Sequence, residues 1–212
     1  MSAVVVTAPA KLTLTFRITG VRDDGYHFID AEMVTLDWCD TLTIDPFSEG
    51  LTAEGRYAKG LPLNGSNLVA KALDLAERTA AVHICKELPR GGGLGGGSAD
   101  AAAILRWAGY EDLEGCARLG SDVPFCLVGG RARVRGMGEL VEPLPSNPVD
   151  ITLIIPPVSV STPIVYRKWD ELGGPHSDGA NDLEPAAIAA VRQLARWRDR
   201  IGNAAGCTPS LA

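Results

Sequence analysis

A run of glycines in the middle of the chain has the residue types that bind phosphate groups. Six glycines fall within the seven positions Gly91 to Gly97, and Ser98 follows them as a predicted N-cap. An apolar strand pattern at 82–86 precedes the run, and an Ala-rich helical pattern at 101–108 follows it. Glycine lets main-chain N–H groups approach a ligand closely, and a helix N-terminus attracts anions. We therefore expect a nucleotide phosphate at this loop.

The glycine run differs from two common phosphate-binding motifs. No lysine follows the glycines, although a P-loop requires one, and the spacing Gly93-x-Gly95-x-Gly97 does not match the dinucleotide fingerprint. The alternative interpretation is a flexible linker. The strand pattern before the run and the helix pattern after it argue against a linker.

Two charged residues lie at the ends of apolar segments, and a partly buried carboxylate such as that of Asp122 needs a partner or a role. Lys11 follows Pro9 at the start of the half-buried strand predicted at 12–18, and Asp122 lies between a glycine turn and the apolar run 123–127. Each has a simpler interpretation. Lys11 would be a solvated lysine at a strand end, and Asp122 would bond to its own turn.

Two further pairs are candidates for ligand contacts. Tyr26 and His27 follow a turn-rich loop, and an aromatic ring next to an imidazole can stack on a base and hydrogen-bond to it. Alternatively, Tyr26 covers the core and His27 is solvated. Asn67 and Lys71 share a face at the start of a predicted helix. Their alternative is a capping residue and a solvated lysine.

The composition favours a globular protein and excludes several classes. The chain has 212 residues, 46% hydrophobic and 22% charged, and a net charge of -6, which argues against general nucleic-acid or membrane-surface binding. Its 5 cysteines contain no Cys-x-x-Cys, and with three histidines no metal-ligand spacing occurs. We expect buried free thiols, no protein-held metal, no signal peptide or membrane span, and a cytoplasmic location.

The remaining patterns predict the elements around these residues. Pro145 to Pro148 is predicted to be a boundary. The predicted strands are 3–7, 12–18, 28–35, 40–44, 51–53, 82–86 and 150–155, with a hairpin over 132–141. The predicted helices are 67–79 capped by Ser66, 101–108, 112–118, 164–171 and one from Asn181 to about Ile201.

Four separated segments resemble one family. They are Pro9–Leu12, Asp24–His27, Leu88–Ser98 and Leu119–Pro124. Through these segments the chain resembles the 4-diphosphocytidyl-2-C-methyl-D-erythritol kinase family, which belongs to the GHMP kinase superfamily. The resemblance implies an α+β GHMP kinase fold, with an ATP-binding domain of the ribosomal-protein-S5-domain-2 type at 1–147 and an incomplete ferredoxin-like domain at 148–212.

The same resemblance implies an activity and its residues. The reaction is ATP-dependent phosphorylation of the 2-hydroxyl of 4-diphosphocytidyl-2-C-methyl-D-erythritol in non-mevalonate isoprenoid synthesis, with Mg²⁺ as the ATP chelate. Asp122 accepts the hydroxyl proton, and Lys11 lies between that hydroxyl and the γ-phosphate. Tyr26 and His27 hold the cytosine ring, with Tyr166 on its other face. The implied ATP-binding positions are Gly91, Gly92, Gly93, Leu94, Gly95, Gly96, Gly97 and Ser98, with Asn67, Lys71 and Lys86 near the adenine nucleotide.

The chain departs from the family pattern in two places that bear on function. Thr13, a predicted substrate-binding position, replaces the usual asparagine, and the late glycine-rich motif is missing, so the chain is either a fragment or an enzyme without part of its site. The alternatives are another GHMP small-molecule kinase, which Gly25-Tyr26-His27 argues against, and a non-catalytic nucleotide-binding module. The expected partners are ATP and the small-molecule substrate, with no nucleic acid or membrane, in a monomer or homodimer.

Overall fold

The computed structural model describes residues 3–146 and 148–211. Within these ranges six strands form one sheet, and helices pack against it. The strands are β1 (Val4–Val21), β2 (His27–Asp45), β3 (Gly50–Glu54), β4 (Ala81–Cys85), β5 (Arg131–Gly136) and β6 (Leu140–Pro143). The helices are α1 (Leu68–Leu75), α2 (Gly96–Ala108), α3 (Leu113–Leu119), α4 (Val123–Val128), α5 (Thr162–Glu171), α6 (Glu184–Ala190) and α7 (Gln193–Ala205).

Strands β1 and β2 form one long antiparallel pair, in which Val4 lies opposite Ile44 and Val21 opposite His27. The sequence predicted two shorter strands in place of each. They are continuous because bulges, such as the register shift between Pro9 and Lys11, absorb the proline without ending the strand. The other edge of β2 pairs with β4 and β5, both antiparallel. β3 runs parallel to β4, and β6 is antiparallel to β5.

Helix α2 lies at the centre of the molecule and carries the glycine loop at its start. It packs against β1 and β2 of the sheet and against α1 and α4. The small side chains of Ala99 and Ala101–Ala103 are buried there, together with Ile104 and Leu105. Alanine combines high helix propensity with close approach to neighbouring elements, so an Ala-rich helix suits this position.

The elements that follow β6 in the described residues are the helices α5, α6 and α7, which corrects two predictions. The predicted strand at 150–155 is wrong, because this segment has no strand partner and leaves Ile151, Ile154 and Ile155 exposed. A strand needs a neighbour for its main-chain hydrogen bonds, and the side-chain pattern alone does not supply one. The single helix from Asn181 to Ile201 is also wrong, since it is split into α6 and α7 at Val191 (φ -130°, ψ 82°).

A buried aspartate attaches the C-terminal segment to β1. Asp182 is fully buried and accepts hydrogen bonds from the Arg17 guanidinium at 2.7 Å and from the main-chain N–H groups of Ile18 and Ser177 at 3.0 and 2.9 Å. Its Oδ2 also lies 3.0 Å from Nδ1 of His176. Burial alone raises its pKa, but these hydrogen bonds outweigh burial and lower the pKa of Asp182 to about 2. We call this arrangement the Asp182 clamp.

The cysteines follow the sequence prediction in part. Cys116 and Cys126 are buried, and burial raises the pKa of the Cys126 thiol to about 12. Cys39 and Cys85 are half-buried, whereas Cys207 is exposed, so the prediction of buried thiols is wrong for Cys207. None of the helices in the described ranges is long and apolar enough to cross a bilayer.

Candidate active site

The glycine loop is held against β1 by its one large side chain. Leu94 is buried with Ala10, Leu12 and Leu88 in a small core of its own. Its carbonyl accepts a 3.0 Å hydrogen bond from the N–H of Lys11. The bulge that precedes Lys11 in β1 turns this N–H away from β2. Leu94 therefore fixes the loop at the position of the lysine.

Helix α2 begins five residues earlier than predicted, inside the glycine run. Its first residue is Gly96 and its N-cap is Gly95, so the predicted cap Ser98 lies in the first turn. Gly95 has a left-handed φ of 64°, and a Cβ there would lie 2.7 Å from Cγ of Lys11. Position 95 therefore requires glycine, both for its left-handed φ and for the lack of space for a Cβ. The first N–H groups of α2 have no partner within the helix and favour an anion.

The two candidate catalytic residues lie side by side. Nζ of Lys11 is 3.4 Å from Oδ2 of Asp122, with 9% and 28% of the two side chains exposed. Nζ also donates a 3.1 Å hydrogen bond to Oγ1 of Thr13. Thr13 thus contacts the lysine, a role that the sequence did not suggest. Lys11 is buried, so the interpretation of a solvated strand-end lysine is wrong.

The carboxylate of Asp122 pairs with Lys11 and does not cap its own helix. Asp122 is the N-cap residue of α4, but its side chain makes no capping hydrogen bond, which removes the interpretation that it serves its own turn. The hairpin between β5 and β6 packs on the preceding residue, because a Cβ on Gly138 would lie 2.1 Å from the carbonyl oxygen of Ser121. The hairpin therefore fixes the main chain from which Asp122 projects.

Lys86 does not have the position expected of a nucleotide ligand. Its side chain is 2% exposed, and its Nζ lies 2.5 Å from a carboxylate oxygen of Asp40 and 2.5 Å from one of Asp100. Both carboxylates hold the ammonium group inside the protein, so it cannot reach a ligand in this conformation. This corrects the prediction that Lys86 binds the nucleotide. Lys86 instead packs against the start of α2, because a Cβ built on Gly96 would lie 3.2 Å from its Nζ.

Sequence reasoning missed the partners of Lys86, although a pattern was present. Asp40 alternates with Leu42 and Ile44 on the inward face of β2, and Lys86 continues the inward face of β4. Burial, partly offset by Lys86 and reinforced by Asp40, raises the pKa of Asp100 to about 7. Its Oδ1 has no hydrogen-bond partner among the described residues. We call these three residues the buried charge cluster.

Asn67 and Lys71 lie near the loop with different exposure. Asn67 is buried and is the N-cap of α1: its Oδ1 accepts from the N–H of Val69 at 2.9 Å, and its Nδ2 donates to the carbonyl of Pro62 at 2.7 Å. Asn67 therefore takes the place predicted for Ser66, and its side chain is already engaged. Lys71 is exposed. The start of α1 faces the loop, because a Cβ built on Gly97 would lie 3.5 Å from the side chain of Leu68.

An aromatic cluster surrounds the ring of His27. The ring of His27 lies 4.7 Å from that of Tyr166, tilted by 37°, and 5.5 Å from that of Trp169. Nε2 of His27 lies 2.8 Å from Oδ1 of Asp170, a residue that the sequence analysis did not select. Burial, followed by the nearby charges of Asp122 and Tyr26, raises the pKa of Tyr166. The charge of Asp122 thus acts on the ring of Tyr166.

Tyr26 differs from the other aromatic residues of the site. It is 53% exposed, and the guanidinium of Arg22 lies 5.6 Å from its ring centroid. His27, not Tyr26, is the ring in contact with Tyr166. The candidate site thus contains a helix start that favours an anion, a lysine–aspartate pair and an exposed aromatic side chain.

Known proteins match the chain over most of its length. The family model described as GHMP kinases N terminal domain matches residues 67–130. A 4-diphosphocytidyl-2-C-methyl-D-erythritol kinase of Paracoccus denitrificans is 45% identical over 76% of this chain and 59% of its own length. One of Paramagnetospirillum magneticum is 38% identical over 98% of this chain and 84% of its own.

One solved structure supports the same relationship. A crystal structure of 4-(cytidine 5'-diphospho)-2C-methyl-D-erythritol kinase is 30% identical, with a TM-score of 0.68 over 93% of this chain and 82% of that one. The α+β GHMP kinase-like fold is therefore confirmed for this chain. The chain spans about three fifths of the length of the Paracoccus relative.

Proposed function

The chain belongs to the 4-diphosphocytidyl-2-C-methyl-D-erythritol kinase family, and from this membership we propose that it transfers the γ-phosphoryl group of ATP to the 2-hydroxyl of 4-diphosphocytidyl-2-C-methyl-D-erythritol. In this proposal it is a phosphotransferase of the non-mevalonate isoprenoid route. Phosphoryl transfer depends on positioning and charge stabilisation more than on covalent chemistry by the protein. The groups that supply both lie within one small region of the chain's fold.

The observation that carries the proposal is the 3.4 Å approach of Lys11 to Asp122 beside the start of α2. We assign Asp122 as the acceptor of the hydroxyl proton, since its carboxylate has no capping role. Lys11 stabilises charge on the oxygens of the transferring group. Thr13 accepts a hydrogen bond from the lysine and orients it.

We propose that the triphosphate lies along the loop from Gly91 to Ser98. Gly91–Gly93 and Gly97 are exposed, so a phosphate can approach their main chain. Mg²⁺ would enter with ATP as its chelate, because this ion prefers substrate phosphates and water with few protein ligands. The hydroxyl of Ser98, in the first turn of α2, is the protein group that we propose beside it. Lys71 is the exposed cation that we assign to the nucleotide side.

We propose that the cytosine ring binds at the aromatic cluster, between the exposed ring of Tyr26 and the surface formed by His27 and Tyr166. Stacking on aromatic side chains is worth about 1–3 kcal/mol per base. We further propose that residues 1–147 form the ATP-binding domain of the ribosomal-protein-S5-domain-2 type. In the same proposal residues 148–212 form part of a ferredoxin-like domain.

A substrate panel tests the proposed activity. The purified protein is given ATP and Mg²⁺ with the cytidyl substrate, mevalonate or homoserine, and ADP release is followed by a coupled assay. We expect turnover with the cytidyl substrate alone. Turnover of mevalonate alone would assign another GHMP kinase activity, and ATP binding without ADP release would indicate a nucleotide-binding module.

The variant Asp122→Asn tests the role of the carboxylate. Loss of a positioned general base lowers turnover by about 10²–10⁴-fold. ATP affinity, measured by calorimetry, should stay within about threefold of the unmodified protein, because Asp122 does not belong to the loop. A parallel loss of turnover and ATP affinity would mean that Asp122 supports the fold and not the reaction.

A further inference from the structure

The ring of His27 is held in one orientation by three neighbours. Tyr166 lies 4.7 Å away on one face, Trp169 meets the ring edge-on at 5.5 Å, and Asp170 contacts Nε2 at 2.8 Å. All three neighbours come from α5, where Tyr166 and Asp170 are one turn apart and share a face. Only 9% of the His27 side chain is exposed. The ring therefore cannot turn over without breaking these contacts.

The contact with Asp170 decides which nitrogen of His27 carries the proton. An ionised carboxylate can only accept hydrogen bonds, so Nε2 must be the donor. In a neutral imidazole the other nitrogen, Nδ1, then has a free lone pair and acts as an acceptor. Within the described ranges Asp170 is the one hydrogen-bond partner of this ring, so Nδ1 is left for a ligand.

We propose that Asp170 is a specificity-determining residue, which selects a pyrimidine with an exocyclic amino group by fixing His27 as an acceptor at Nδ1. This inference rests on the proposed function and extends it to the choice of base. An amino group, as in cytosine, donates to Nδ1. A carbonyl oxygen at the same place, as in uracil, is also an acceptor, so its lone pair faces that of Nδ1 and no hydrogen bond forms. Asp170 acts through His27 and does not touch the base, so it is a positioning residue.

The effect can be measured as a ratio of kcat/KM values. A buried acceptor that faces another acceptor loses its hydrogen bond and its hydration, which corresponds to a discrimination of about 10- to 100-fold. In Asp170→Asn the amide can turn either its oxygen or its NH₂ group towards Nε2, so both tautomers of His27 become accessible. The preference for a cytosine base should then fall about tenfold.

The test compares the cytidyl substrate with its uridyl analogue under identical conditions. For Asp170→Asn we expect KM for the cytidyl substrate to rise, while kcat stays within about threefold, because Lys11 and Asp122 are unchanged. The matched control is Glu171→Gln, which removes a neighbouring carboxylate of α5 that is exposed and pairs with Lys168. The control should keep the original ratio.

Two results would overturn the proposal: equal turnover of both bases by the unmodified protein, or an unchanged ratio in Asp170→Asn. Should that variant not fold, ¹⁵N NMR of the unmodified protein decides the matter. The chain has three histidines, so the His27 signals are assigned by their loss in His27→Gln. We expect the tautomer protonated at Nε2, and protonation at Nδ1 would overturn the proposal. Turnover of neither base would refute the proposed function, and the NMR result would still test the Asp170–His27 contact.

Discussion

Replacing Gly95 by alanine tests how closely the glycine loop fits the lysine beneath it. Gly95 has a φ of 64°, and an L-residue in the left-handed region costs about 1–2 kcal/mol. The new methyl group would lie 2.7 Å from Cγ of Lys11. The lysine main chain cannot retreat, because its N–H is bonded to the carbonyl of Leu94, and overpacking costs about 1–3 kcal/mol. We expect the free energy of unfolding to fall by about 2–5 kcal/mol.

Urea unfolding measures this change, and Gly97→Ala is the matched control. Gly97 has no left-handed φ, and the nearest atom to its Cβ position is 3.5 Å away, in ordinary contact. Alanine is favoured over glycine inside a helix, so the free energy of unfolding of the control should rise by about 0.5–1 kcal/mol. Its urea midpoint should rise accordingly. Equal stability of the two variants would refute the close fit that we infer between Gly95 and Lys11.

The same substitution should affect the proposed reaction. A methyl group at Gly95 moves the lysine side chain, and a displacement of about 1 Å at a reacting group can lower turnover by about 10²-fold. Turnover at saturating ATP and cytidyl substrate measures this loss. Full turnover of Gly95→Ala, together with its lowered stability, would mean that the loop tolerates a different position of Lys11.

Two further predictions concern buried carboxylates with opposite pH behaviour. Burial raises the pKa of Asp100 from 3.8 to about 7, so the folded protein keeps a proton that the unfolded chain releases. Its free energy of unfolding should therefore fall by up to about 4 kcal/mol from about pH 4 to pH 7. Urea unfolding should show no such fall in Asp100→Asn, and parallel pH curves would contradict the assignment. Asp182, whose pKa is lowered to about 2, contributes stability that is present above about pH 4 and lost as the pH falls towards 2. Asp182→Ala should lose about 3–5 kcal/mol at neutral pH and become sensitive to proteolysis near residues 176–182, whereas the exposed control Asp178→Ala should stay within about 0.5 kcal/mol.

The sequence predicted the parts of the site that depend on local chemistry. A glycine run between a strand and an Ala-rich helix has few structural explanations. Lys11 and Asp122 were selected through the family resemblance, since each residue alone also fitted a simpler interpretation. The structure places Lys11 and Asp122 next to each other. Most strands and helices before Pro143 were also predicted, because their side-chain periodicity is regular.

The remaining features depend on neighbours that are distant in the chain. The pattern at 150–155 is that of a strand, but a strand also needs a partner, and no periodicity reports one. The family resemblance predicted Lys86 near the adenine nucleotide, but Asp40, 46 residues earlier, makes it part of the buried charge cluster. The true cap of α2 is Gly95, whose left-handed conformation no composition rule distinguishes from those of its neighbours.

Helix α5 reaches the site from the far part of the chain, and the Asp182 clamp joins that part to β1. The groups that we propose to handle the phosphate, from Lys11 to Asp122, all precede the boundary predicted near residue 147. The base surface that we propose is instead built from both parts of the chain, because His27 from the start of β2 packs against Tyr166 from α5. In this proposal, substitutions among the ten residues of α5 alter one side of the base surface and leave Lys11, Asp122 and the glycine loop unchanged.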